Sequence, residues 1–120
     1  MSLQSFVTRA VVFGNTNLGG QTTFTGNSQE AYSEDLLAGA NPTVPFSFIG
    51  DDAQVIAFIA SVEMTINPDA GPTISLEAGV LYQWCNDSGL TNPFAGVTVT
   101  EFVVTNVLAG TLQLFVQSSV

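Results

Sequence analysis

"VPFSFIGDDAQVIAFIASVEMTI", residues 44–66, decides the fold. Val44, Phe46 and Phe48 occupy alternate positions. So do Val62, Met64 and Ile66, with Glu63 and Thr65 between them. An apolar period of two is the mark of a strand with one face on a core. Between these runs lies "VIAFIA", residues 55–60, apolar at every position. Such a strand is central in a sandwich or lies at a subunit contact.

The same period continues on both sides. Ile74 and Leu76 alternate with Ser75 and Glu77, and Leu112, Leu114 and Val116 alternate with Thr111, Gln113 and Gln117. Val80, Tyr82 and Trp84 share a face. Residues 6–13 form a second two-sided apolar run, broken only by Thr8 and Arg9. Val97 and Val99 are odd while Phe102 and Val104 are even, so a bulge is expected around Thr100 and Glu101. Residues 28–37, "SQEAYSEDLL", read as an edge strand in preference to a helix capped by Asn27 or Ser28. Turn chemistry separates the runs at 14–20, 40–42, 50–52, 67–72, 86–93 and 109–110. The expected fold is all-β: a single domain over residues 1–120, an antiparallel β-sandwich or jelly-roll-like.

Composition limits the function. The chain has 120 residues, one Lys or Arg (Arg9), no His, and a net charge of −9. Nucleic-acid binding needs cations to neutralise phosphates, and anionic membranes need the same, so neither is expected as a partner. Charged residues are 9% of the chain, against about 25% in an ordinary soluble domain. Lysine, a common guard of sheet edges, is absent. The expectation is a homo-oligomer whose edges and apolar surface are covered by neighbours, with a trimer favoured. The start "MSLQSFVTRAVVF" lacks a basic region before its apolar run, so synthesis in the cytoplasm is expected.

Chemistry-bearing residues are sparse. Trp84 and Tyr82 stand before the turn-rich stretch 86–93, and Asn92, Pro93 and Phe94 close it. These five are read as interface or core anchors. A sugar-stacking platform is the alternative, which would make the chain a carbohydrate-binding module or lectin-like adhesin. Cys85 has no histidine anywhere to activate it, and serine triads fail for the same reason. No enzyme activity and no cofactor are expected. No metal is expected; calcium is the one that the residue types leave open, through Asp51, Asp52 and Asp69 or through Glu30, Glu34 and Asp35, against a reading of these as solvated loop acids, and no EF-hand spacing exists.

Residues 73–106 add a resemblance. "TISLEAGVLYQWCNDSGLTNPFAGVTVTEFVVTN" carries the pattern I-S-L-x-A-G-x-x-Y-x-W, then S-G-x-x-N-P-F, then a strand ending V-T-N. It is similar to small β-rich phage virion accessory proteins of the capsid cement or decoration kind. The matching positions are turns and core sites such as Gly79, Trp84, Asn92, Phe94 and Asn106. The resemblance implies a bacteriophage structural protein on the outer surface of the particle. Its implied partners are its own copies and the major capsid protein.

Overall fold

The computed structural model describes residues 3–13, 16–26 and 28–119, with side chains over 28–119. Among the described residues ten strands follow one another. They are β1 (Leu3–Phe13), β2 (Thr16–Gly26), β3 (Ser28–Leu36), β4 (Thr43–Ile49), β5 (Ala53–Ala60), β6 (Met64–Pro68), β7 (Ile74–Leu76), β8 (Tyr82–Cys85), β9 (Thr98–Thr105) and β10 (Gly110–Ser118).

From Ser28 onward the chain folds as one long hairpin. β3 pairs with β10, β4 with β9, β5 with β8 and β6 with β7, all antiparallel. The hairpin then wraps on itself, so that β10 also meets β5 and β9 also meets β6. The result is two four-stranded sheets, ordered β3-β10-β5-β8 and β4-β9-β6-β7. Eight strands wound this way are a jelly-roll sandwich. The stretch 28–37 is therefore strand through Leu36, as its neighbours required.

The period-2 positions meet between the sheets. Val44, Phe46 and Phe48 of β4 face Ile56, Phe58 and Ala60 of β5, and all are buried. Phe46, Phe58, Phe94 and Phe102 are at most 1% exposed. Their rings meet edge-on or tilted, at centroid distances such as 5.5 Å for Phe58–Phe102 and 5.8 Å for Phe46–Phe102. Burying one such side chain contributes about 1.5–3 kcal/mol, so this cluster dominates the core. The "VIAFIA" strand is central, between β10 and β8. Its other face sets Val55 against Cys85 and Phe115.

The register of β4 against β9 shifts between Pro45 and Phe48, opposite Thr100. Here β9 changes phase, and Val99 and Phe102 are both fully buried. Asp69 accepts hydrogen bonds from the Thr100 and Glu101 amides, at 2.8 and 3.2 Å, and from the Thr100 hydroxyl. Its carboxylate occupies donors that the irregular ladder would leave over.

Two expectations need correction. Val80 does not share a face with Tyr82 and Trp84. Gly79, at φ 72°, turns the chain just before β8, so Val80 lies in a loop and is exposed. Positions 16–20 of the expected turn 14–20 are strand, because β1 supplies their backbone partners from Phe13↔Thr16 to Arg9↔Gly20. Residues 14 and 15 lie outside the described residues. Ladder pairing here overrides the weak strand preference of glycine.

β1 and β2 form a separate two-stranded ribbon, paired from Leu3↔Gly26 to Phe13↔Thr16. The ribbon joins the sandwich at Gly26, where a Cβ would overlap the Ser118 carbonyl oxygen and lie 2.7 Å from Gln54 Oε1. Only glycine fits that crossing. The radius of gyration is 15.0 Å, against about 13.6 Å for a compact 120-residue domain. The accessible surface is 6801 Å², against about 6,200 Å² for a chain of this mass. Both values exceed those of a closed domain of this size.

Candidate functional site

The jelly roll has two ends. At one, the long connection from Cys85 to Thr98 holds the residues singled out from the sequence. Trp84 is 8% exposed and its Nε1 donates to the Leu90 carbonyl at 3.0 Å. Buried and tied in this way, the indole is not presented as a stacking platform. Tyr82 is half-buried and lies parallel to Phe58, with centroids 5.8 Å apart. Burial raises the Tyr82 pKa above the ordinary phenol value. Burial also raises that of Tyr32 on β3, with the Glu34 charge adding to it.

Asn92 stitches the connection to the sheet. Its Nδ2 donates to the Gly50 carbonyl at 2.8 Å, and its Oδ1 accepts from the Phe94 amide at 2.9 Å. Phe94 then drops between the sheets, fully buried, 5.1 Å from Phe48. Pro93 is half-buried between them. Gly50 lets the connection close over it, because a Cβ there would run into the Phe94 backbone. Four of the five anchors are thus packed or tied into the sandwich around the fifth, Pro93.

The calcium candidates do not gather. Asp51 accepts from the Gly96 amide at 2.8 Å, and Asp69 serves β9. Asp35 accepts from the Thr111 hydroxyl at 2.6 Å. Among the described residues no group of three or more carboxylates or thiols stands close enough to hold a metal ion. Hydrogen bonds from Thr100, chiefly its hydroxyl, hold the Asp69 pKa below the ordinary carboxylate value. The Cys85 thiol is buried against Val55 and Phe115.

The opposite end has a different character. The antiparallel order sets four connections there side by side: β3–β4, β9–β10, β5–β6 and β7–β8. Backbone bonds tie neighbours together, from Gly39 to the Asn106 carbonyl at 2.9 Å and from Gly79 to the Ala60 carbonyl at 2.7 Å. Asn106, 1% exposed, is the organising residue. Its Nδ2 donates to the carbonyls of Leu37 at 2.8 Å and Leu108 at 3.1 Å. Its Oδ1 accepts from the Asn41 amide, and its own amide donates to Asn41 Oδ1, both at 3.0 Å. Asn41 sits at φ 45°, a left-handed position that asparagine tolerates.

This rigid frame holds apolar side chains out toward solvent. Leu37 is 80% exposed, Val107 79%, Leu108 59%, Val80 52% and Leu81 48%. Val107 and Leu108 also line a groove with Glu63, Met64, Thr65 and Thr105. Sequence reasoning missed this surface. The available signal was an apolar pair ahead of Ala-Gly in two turns, Leu36-Leu37-Ala38-Gly39 and Val107-Leu108-Ala109-Gly110, where polar residues are usual.

Comparison with protein-family models, with curated proteins and with solved structures gives no match.

Proposed function

We propose that the chain is a non-enzymatic virion structural protein of the capsid cement or decoration kind. It is a homo-oligomeric jelly roll that binds the outer surface of a particle and reinforces it. The observation that carries this reading is the apolar end of the sandwich, with Leu37, Val107 and Leu108 held outward by Asn106. Large apolar side chains exposed together at one end of a domain mark an interaction site. A net charge of −9 with one cation directs that site toward protein, and away from nucleic acid within the particle. The similarity of residues 73–106 to phage accessory proteins supports the same assignment, with the major capsid protein as the particle partner. The fold alone would not, since jelly rolls serve capsids and lectins alike.

The test is light scattering on the purified chain, followed by co-sedimentation with shells that lack it. The expected result is a closed oligomer, a trimer being favoured, that adds to the shells. Replacing Leu37 and Val107 with Ser should abolish the addition without unfolding the chain. A monomer at high concentration that ignores shells and binds glycans instead would overturn the assignment.

A further inference from the structure

We infer that the β1–β2 ribbon of one copy pairs, through β1, with the outer edge of β3, over residues 29–36, in a neighbouring copy. It thereby extends that copy's β3-β10-β5-β8 sheet. The inference rests on the homo-oligomer reading and names the contact that builds it.

Four observations lead to this pairing. First, β3 is a nine-residue edge strand whose pairing among the described residues is with β10 alone. Its outer backbone groups form a template for another strand. The opposite edges are guarded by shortness, since β8 has four residues and β7 three. β4, beside β3, carries Pro45, which has no amide to donate.

Second, the eleven-residue strands of the ribbon pair only with each other. An isolated two-stranded hairpin is marginal in water. Yet residues 6–13 hold six apolar residues, the composition of a strand covered on both sides. Within its own chain β1 belongs to neither sheet of the sandwich, and a contact with another copy would give such a strand a second neighbour. Third, the surface and radius of gyration exceed those of a closed domain of this size, as an unpartnered arm requires.

Fourth, the charges match. β1 carries Arg9, the chain's single cation, in register with Gly20. β3 carries Glu30, Glu34 and Asp35, the last two exposed. In a chain of net charge −9 most copy-to-copy contacts set acid against acid. Arm against edge places the cation on a strand that carries three carboxylates, and such complementarity favours partner and register. Donor arm and acceptor edge are different surfaces, so the contact is either reciprocal, in a two-fold dimer, or head-to-tail. The head-to-tail form closes as a ring when the rotation permits.

The experiment uses full-length chains. Ser33→Cys copies are mixed with copies bearing Gln4→Cys, Ser5→Cys or Thr8→Cys in turn, and oxidised. Cys85, being buried, stays silent. In parallel, the dissociation midpoint on dilution is measured for wild type, Arg9→Glu, and Arg9→Glu with Glu34→Lys. The expected result is a disulfide between unlike copies for at least one β1 position. Arg9→Glu should shift the midpoint about tenfold toward dissociation, and the charge-swapped chain should recover most of it. Should the wild type be an oligomer with an unmoved midpoint and no mixed disulfide, the arm contact is wrong while the assembly reading stands. A disulfide that forms only within one chain, when Ser33→Cys and Thr8→Cys share it, overturns the exchange too. A wild type that remains monomeric at every concentration sinks both.

Discussion

Replacing Asn106 with alanine tests the frame on which the apolar end depends. The change removes three side-chain hydrogen bonds: two donated by Nδ2, to the carbonyls of Leu37 and Leu108, and one accepted by Oδ1, from the Asn41 amide. Asn106 is 1% exposed, so water does not freely replace it. At about 1 kcal/mol per bond, and more for any partner left buried, the expected loss is about 3 kcal/mol. A domain of this size is stable by about 5–15 kcal/mol, so the variant folds but with a clear deficit. Its Tm should fall by about 12 °C, at about 4 °C per kcal/mol.

The assay is urea unfolding of wild type and Asn106→Ala with a common m-value, supported by calorimetry. Asn41→Ala removes one acceptor but keeps the Asn41 amide, and it puts alanine at φ 45°. It should lose about 1–2 kcal/mol. Asn106→Asp sets an anion against two carbonyls and should lose more than alanine does at neutral pH. A loss below about 0.5 kcal/mol for Asn106→Ala would refute the frame. Leu37 and Leu108 would then be held by other means, or not held at all.

Trp84→Ala should lose about 3–5 kcal/mol, measured by urea unfolding; a fully stable variant would place the indole outside the core. Gly50→Ala should be worse tolerated than an exposed glycine replacement such as Gly89→Ala, because the Phe94 backbone occupies the space; soluble yield and Tm report this directly. Asp69 has a lowered pKa in the fold, so its contribution is present above the unfolded carboxylate value and lost as pH falls through the folded one. Asp69→Ala should therefore flatten the acid limb of a Tm-versus-pH curve. Tyr32 and Tyr82 have raised values, so their contribution is full below the unfolded phenol value and lost as pH rises through the folded one. Tyrosinate absorbance should rise later in the folded chain than in urea.

The strands were readable because an alternating apolar pattern is a local property. Val44, Phe46 and Phe48, or Leu112, Leu114 and Val116, declare a buried face without reference to any other part of the chain. The charge balance was equally plain, and with it the classes of partner that nine excess negative charges disfavour. Even the break in β9 shows as a change from odd to even positions, since Val99 and Phe102 must both point inward.

Contacts between distant residues were not readable. Phe94, within a turn-rich stretch, becomes a core residue only because Gly50 leaves room for its backbone. Asn106 is one of many asparagines until Asn41, 65 positions away, is brought beside it. Leu37 and Val107 look like strand ends, and topology alone sets them together at one tip. Residues 6–13 and 55–60 share a composition, yet one strand lies at the centre of a sandwich sheet and the other belongs to a separate two-stranded ribbon. Side-chain pattern fixes which face of a strand seeks cover. Which neighbour provides that cover depends on long-range pairing, whose free energy is spread over whole ladders and is written in no single segment.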